Sequence, residues 1–541
     1  MKKGMILGIS LLFFAALWCF LAMWEQNRVM GVPAVTEAEA EELAGEREPF
    51  PQEAGAQLEI NGVRAAYVGA EERYYIPKNL KEDYWKGTLG ASASGLPVSV
   101  VWIRDGAFRN MEEAVSGGHE FRCLIYSDTE YAYVSVLFTG MPVMSIDGEM
   151  GQPGTRVAVF DPVLSMNGGY QTEETLAYYN IRGNASKRFE KLGYRLEFFY
   201  DDGSEGRDLS LLGMRSDNDW QLKAMYSDRS KLRDKLSIEL WNEIASLTET
   251  QADDGCRMEY LELIINGEYA GLYGLVEPTD YKSLGLDKGN DLIYKVAADE
   301  WPDDAMFDES EAAQSFSCGG VNIRQAGKTY YDGIWEPFRT FWNSGYEMAS
   351  QEDLGTLYGC IDRRNFIEYH LYYNAIAGMD NRFKNIIYST VMGGDGSFVI
   401  RRIPWDQNYS WGDDFETGED KSLKNIRYNP ELARRWLNEE VFRNMMEYDA
   451  ELSSDMLEVW KSWRASFLKE EIWIAYAREQ MDYLISSGAF ARDSARWPDS
   501  GNVEGTEEIE AFINTRFSWL DGYLEELAAG QPQETGRAIN N

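Results

Sequence analysis

Hydrophobic positions change their period several times along the chain, and each change predicts a different element. Residues 4 to 24 form a run of 21 positions without a charge, long enough to cross a bilayer as a helix. From 29 to 55 Glu, Ala and Pro crowd together without a period, which predicts an extended acidic stalk. Residues 56–140 carry short alternating runs such as "LPVSVVWIRDG" and "YAYVSVLFTG", closed by Gly or Asp, and these predict a small β-rich domain. "YRLEFFYDDGS" predicts a strand over 194–200. Leu232, Leu236, Leu240 and Ile244 repeat every four residues, the stripe of a helix that Asp228 caps and that runs to about Ala245. Two β-rich runs flank Asn266-Gly267, the pair that a type I′ hairpin turn prefers. Asp362 caps a second helix with Phe366, Tyr369, His370 and Tyr373 on its apolar face, and Gly378 ends it. A second hairpin follows, with strands over 386–390 and 398–403 around Gly393, Gly394, Asp395 and Gly396. Beyond about 430 the pattern is helical and Trp-rich, and 529–541 reads as a flexible tail.

Composition narrows the function classes. A chain of 541 residues is too long for one core, and its 44% hydrophobic and 13% aromatic content excludes general disorder despite a net charge of −38. That charge repels phosphate backbones and argues against nucleic acid as a partner. A nucleotide is still admissible, because a metal ion and a few Lys or Arg can meet its charge locally. Lys2 and Lys3 precede the apolar run, while Glu25 and Arg28 cancel after it, so the expectation is an uncleaved anchor with the bulk on the extracytoplasmic side. The alternative is a cleaved signal peptide, but no Ala-x-Ala site follows the run. Cys19 stands after Trp18, where a lipoprotein signal needs a small residue. Cys123, Cys256, Cys318 and Cys360 form no C-x-x-C pair and read as buried thiols rather than as a disulfide framework. With His119 and His370 the only imidazoles, a His-rich zinc site is excluded and a Ser-His-Asp triad has few places to form. His370, among aromatics, reads as a core residue.

The second hairpin carries the chemistry. Folding it brings Asn385 back beside Pro404, so that Asp380, Asn385 and Asp406 converge on one end. An Asp followed five residues later by an Asn, with a second Asp brought alongside, suits phosphoryl transfer. One carboxylate accepts or orients the attacking hydroxyl, while the amide oxygen and the second carboxylate hold a divalent cation against nucleotide phosphates. Protein kinases use the same five-residue spacing.

Five stretches in order then resemble the spore-coat kinase family (CotH), whose members have an atypical protein-kinase fold: "IRGNASKRFEKLGYRLEF" (181–198), "LLGMRSDNDWQLKAMYSDRSKLRDKLSIEL" (211–240), "INGEYAGLYGLVE" (265–277), "MDNRFKN" (379–385) and "IPWDQNYSWG" (403–412). The resemblance runs from about 141 to at least 412. With the elements read above, the expectation is an α+β chain with a cytoplasmic tip and transmembrane anchor (1–28), an acidic stalk (29–55), a β-rich accessory domain (56–140) and a tail (529–541); the bilobal kinase-like domain with a helical C-terminal part (141–528) comes from the resemblance. The resemblance implies ATP with Mg²⁺ or Mn²⁺ as cofactors, and Ser or Thr of envelope or coat proteins, or of the chain itself, as acceptor. By position it makes Lys191 the phosphate-contacting lysine, Asp380 the catalytic aspartate, and Asn385 and Asp406 the metal ligands. Arg182, with Gly183 and Asn184, is placed at the phosphates and Glu277 beside the adenine; Asp228 and Arg233 match a family helix without an assigned role. Ala185 stands where the family has its first Ser after Arg-Gly-Asn, and no Gly-x-Gly-x-x-Gly or Walker sequence is present.

Each residue has a plainer reading. Asp380 and Asn381 suit a turn, Pro404-Trp405-Asp406 a strand end, Lys191 a solvated surface and the acidic run from Asp413 to Asp420 a solvated loop. Two other functions stay open. One is a non-catalytic scaffold or adhesion module of the envelope. The other is a carbohydrate-binding surface protein, prompted by 17 Trp and 32 Tyr, although nothing selects the carboxylate pair that a glycosidase needs.

Overall fold

The computed structural model describes residues 28–530 except 30, 52–54, 81–87, 94–95, 105–110, 165–169, 184, 201–202, 204, 248–255, 298–301, 325–329, 382–383 and 414–438. The chain is mixed α+β and divides into two compact units. Unit 1 takes residues up to 224 with 259–277 and 482–501; unit 2 takes 225–258, 278–481 and the residues from 502 onward.

Unit 1 is built on a closed seven-stranded barrel. Its strands, in order around the barrel, are Val143–Asp147, Thr155–Leu164, Tyr170–Arg182, Gly193–Phe199, Asp219–Lys223, Glu268–Val276 and Met258–Ile265. Parallel pairing of the first with the last closes it. Alternate residues point inward, so that Met144, Ile146, Leu196, Phe198, Trp220, Leu222, Leu261, Leu263, Tyr273 and Leu275 share one buried cluster. The expected hairpin turn is present, with Asn266 and Gly267 both at positive φ (50° and 74°) as type I′ requires. Ahead of the barrel, the expected β-rich stretch supplies five strands of an eight-stranded sheet and all of a three-stranded one. Hydrogen-bonded pairing changes hands at about 140, but the core does not: Val143, Phe160, Ile264 and Tyr269 of the barrel pack in one cluster with Leu58, Tyr75, Val136 and Phe138.

The expected stalk is a correction. Strand Val32–Val35 pairs in parallel with Ser99–Ile103, and Glu48–Pro49 pairs in parallel with Glu130–Thr139. Between them helix Glu37–Ala44 begins with a full capping box, Thr36 and Glu39 each bonding the other's backbone. Ala40 and Ala44, one turn apart, pack on Val101, Ile103 and Leu124. A composition rich in Glu and Ala thus describes a small-faced helix lying on a sheet, and the Thr-x-x-Glu signature in "TEAE" was its readable sign. Among the described residues no helix is long and apolar enough to cross a membrane; the expected span over 4–24 lies outside them.

Unit 2 holds a five-stranded sheet in the order Ser317–Cys318, Val321–Ile323, Leu292–Val296, Ile386–Met392, Phe398–Pro404, with helices. Helix Arg233–Leu247 buries Leu236, Leu240 and Ile244, and Leu232 just before it is buried too, the stripe read from sequence. Helix Arg363–Ile376 is capped by Asp362, whose carboxylate accepts from the Asn365 N–H. It ends one residue before Gly378, at Ala377, which takes the left-handed conformation (φ 49°) itself. Gly378 instead supplies room, because a Cβ there would stand 3.2 Å from the Asn381 side-chain oxygen. His370 stacks on Phe442 at 3.9 Å between ring centres, a core residue as expected. Arg402 and Glu439 form a fully buried bidentate pair at 2.6 and 2.8 Å. Burial raises the Glu439 carboxyl, but the Arg402 guanidinium outweighs it and holds the group down at about 2. Cys123, Cys318 and Cys360 are buried free thiols, and Cys256 is a partly buried one.

Glu368, on the same helix as His370, is buried, and burial pushes its carboxyl up to about 7 against the pull of Arg364 at 2.7 Å. The fold therefore prefers the neutral acid. This contribution is intact below about pH 4.5, the ordinary value, and is lost as pH rises through 7. Glu368→Gln should raise stability by about 2–3 kcal/mol at pH 8 and by no more than about 0.5 kcal/mol at pH 4.5, as measured by urea unfolding at the two pH values.

Candidate active site

The hairpin of unit 2 sets the site. Its strands pair from Met392↔Phe398 at the turn to Ile386↔Pro404 at the open end. The Trp405 N–H then donates to the Asn385 carbonyl at 3.1 Å, so Asn385 faces Trp405, one position beyond the expected Pro404. Both residues that leave this end are bent into the left-handed region, Asn385 at φ 56° and Asp406 at φ 60°. Asn and Asp tolerate that conformation better than other non-glycine residues, and such bends gather where side chains must be aimed.

Asp380 approaches from the short helical turn Met379–Asn381. Its Oδ2 accepts from Asn385 Nδ2 at 2.9 Å, and its Oδ1 meets Lys384 Nζ at 3.1 Å. Burial pushes the Tyr409 phenol up, a hydrogen bond with Ser227 opposes that shift, and the carboxylates of Asp413, Asp380 and Asp406 add to it. The structure thus brings Asp380, Asn385 and Asp406 to one end of the hairpin.

The segment after Asp406 is held from behind by helix Arg233–Leu247 and the turn before it. The Gln407 N–H donates to Asp234, Asn408 Nδ2 to Ser227 Oγ and Trp411 Nε1 to Ser237 Oγ. Arg233 Nε donates to the Ser410 carbonyl, while its Nη1 pairs with buried Asp228 at 2.6 Å. Asp228 also accepts from the N–H of Arg233 and of Ser230. Burial works against this carboxylate, yet the Arg233 charge and these donors keep it below its ordinary value. Asp228, expected to cap this helix, lies five residues before its first residue and accepts that residue's N–H; with Arg233, which had no assigned role, it is structural here, and the pair fixes the loop that carries Asp406.

Lys191, Arg182 and Glu277 belong to unit 1. Lys191 is not a solvated lysine. Its side chain is fully buried, its ammonium lies 2.6 Å from Asp493 Oδ1, it donates also to the Leu272 carbonyl, and it sits over the Tyr273 ring at 4.6 Å. Burial draws its pKa down, and the Asp493 carboxylate opposes that shift. Asp493 also accepts from the Leu272 N–H at 2.9 Å. Gly271, at φ +113°, makes the packing possible, since a Cβ there would stand 2.5 Å from Asp493 Oδ1. Asp493 escaped the sequence reading because it lies 302 residues from its partner on an unrelated helix. Arg182 ends a barrel strand opposite Gly193, and Gly183 follows at φ 95° with Ser186 Oγ where a Cβ would go. Asn184 lies outside the described residues. Glu277 is buried and accepts the Arg215 N–H at 2.7 Å.

The donor set at the hairpin end fits a hard divalent cation. With Asn385 Nδ2 turned to Asp380, its Oδ1 is left as a carbonyl-type ligand, and the Asp406 carboxylate is a second oxygen donor. Among the described residues no three His, Cys, Asp or Glu side chains gather into a cage.

A family model described as CotH kinase protein matches residues 179–520. The match spans every site residue named above and reaches beyond 412 through the helical part. Comparison with curated proteins returned no match.

Asp493→Asn removes the charge that compensates a fully buried ammonium. It should destabilise the chain by about 3–5 kcal/mol in denaturant unfolding, and Lys191→Met in the same background should recover part of the loss.

Proposed function

The chain belongs to the CotH kinase family, and from that premise we propose that it transfers the γ-phosphoryl group of ATP to Ser or Thr hydroxyls of envelope or spore-coat proteins, or of itself. We further propose that an N-terminal anchor holds it at the membrane with its bulk on the extracytoplasmic side, and that its α+β fold is an atypical protein-kinase fold. The observation that carries the catalytic reading is the Asp380–Asn385 contact at the hairpin end that also carries Asp406.

In this reading Asp380 orients the acceptor hydroxyl and takes its proton as the oxygen bonds to the γ-phosphorus and the bond to the β-phosphate oxygen breaks, releasing ADP. Asn385 holds the Asp380 carboxylate through its amide N–H and offers its amide oxygen, with Asp406, to Mg²⁺ or Mn²⁺. When bound, that ion neutralises charge on the β- and γ-phosphates. Lys384, 3.1 Å from Asp380, adds a positive charge beside the base. Arg182 and Gly183 are assigned to phosphate contacts and Glu277 to the adenine side.

One observation favours the scaffold reading instead. The Lys191 ammonium already has Asp493 and the Leu272 carbonyl as partners and is sealed from solvent, so a phosphate reaches it only if that pair opens. Lys191 as the phosphate lysine therefore implies a rearrangement on nucleotide binding.

The full chain, purified in detergent and given γ-labelled ATP with Mn²⁺, should incorporate label into itself or into a generic acidic acceptor. Asp406→Ala should lower incorporation by at least about 100-fold while its circular dichroism is unchanged. In parallel, ATP with Mn²⁺ should raise the melting temperature of the wild type and not of Asp406→Ala. Equal labelling by the two proteins contradicts the metal role, and no thermal response in either favours the scaffold.

A further inference from the structure

Asn381 lies directly after the proposed catalytic aspartate and has no assigned part in the chemistry. It is fully buried. Its side-chain Nδ2 donates to the Trp405 carbonyl at 2.7 Å and to the Asn385 carbonyl at 3.3 Å. One amide group therefore spans both legs of the hairpin at its open end. The first carbonyl belongs to the peptide that enters Asp406 and the second to Asn385 itself, so the two bonds fix the peptide planes from which both left-handed residues project.

Asn381 is itself held from three sides. Tyr369, buried on helix Arg363–Ile376, donates its hydroxyl to the Asn381 carbonyl at 3.0 Å. The Asn381 N–H donates to the Gly378 carbonyl at 3.1 Å. Gly378 has no side chain, and this leaves space for the Asn381 Oδ1, which is buried and has no hydrogen-bond partner among the described residues. A buried amide oxygen without a partner is destabilising. Leucine would fill the same space without that cost, so retaining an amide is explained by its two donors rather than by packing.

We propose that Asn381 is a positioning residue that sets the separation of the Asn385 and Asp406 oxygens and thereby the affinity of the site for a divalent cation. This rests on the metal reading of the hairpin end. Partners that orient metal ligands without touching the ion change its affinity by about 10–100-fold when removed.

The test is direct Mn²⁺ binding to the full chain in detergent, with a non-hydrolysable ATP analogue present, followed by the electron paramagnetic resonance signal of free Mn²⁺. Four proteins are compared: wild type, Asp406→Ala, Asn381→Leu and Tyr369→Phe. Asn381→Leu should weaken Mn²⁺ binding about tenfold and Tyr369→Phe about threefold, with the urea midpoint of the metal-free protein falling little in either. In activity, the loss in Asn381→Leu should be recovered at high Mn²⁺, whereas the loss in Asp406→Ala should not. If Asp406→Ala binds Mn²⁺ as the wild type does, the metal reading itself fails. If Asp406→Ala is weakened while folded Asn381→Leu binds normally, the metal reading stands and the positioning role is overturned. Should Asn381→Leu not fold, Tyr369→Phe decides: unchanged Mn²⁺ affinity overturns the role, and a threefold loss supports it.

Discussion

The register of one antiparallel hairpin is the constraint on which the rest of unit 2 depends. Pairing Ile386 with Pro404 places Asn385 against Trp405 and makes Asp406 the first residue free of the sheet. Because side chains alternate with a period of two, a slip by one residue would turn each of them to the opposite face. The neighbouring strand Leu292–Val296 pairs with the first leg throughout, from Leu292↔Thr390 to Val296↔Ile386, and the Asn385 N–H continues that ladder to the Val296 carbonyl. The register is therefore enforced from the inside of the sheet as well as by the glycine-rich turn. The geometry of the hairpin end is a consequence of sheet pairing and not of the loops alone.

Within each unit the chain uses charge pairs as fixed joints. Lys191–Asp493 and Arg492–Glu262 lie in unit 1, Arg233–Asp228 and Arg402–Glu439 in unit 2. Such pairs add little net stability, because desolvation offsets most of the attraction, but removing one partner is costly and wrong packings are penalised. In a chain with a net charge of −38, these pairs tie three arginines and a lysine to particular carboxylates. Arg233 does this where it matters most, holding the loop after Asp406 through the Ser410 carbonyl.

Local signals in the sequence were reliable wherever one element suffices to explain them. The four-residue leucine spacing, the Asp362 cap, the Asn266-Gly267 turn and the Gly393–Gly396 turn all depend on near neighbours, and each has its expected structure. The hairpin end was legible for the same reason: 380, 385 and 406 are close in the chain. What could not be read depends on distant partners. Barrel closure joins Val143–Asp147 to Met258–Ile265, and nothing in either run marks the other as its neighbour. Lys191 has the composition of a surface residue and becomes buried only because Asp493, far along the chain, meets it. The segment over 31–51 was misread because composition was weighed above its capping box. Asn381 suits a turn by sequence, and only its two hydrogen bonds to carbonyls 4 and 24 residues away give it a different meaning.

The most direct measurement is a crystal structure of the chain grown with Mn²⁺ and a non-hydrolysable ATP analogue, with anomalous data collected to locate the ion. The account predicts an anomalous peak about 2.1–2.2 Å from both the Asn385 side-chain oxygen and an Asp406 carboxylate oxygen, with nucleotide phosphate oxygens completing the shell. A cation held by other residues, with Asn385 and Asp406 turned away from it, would contradict the account.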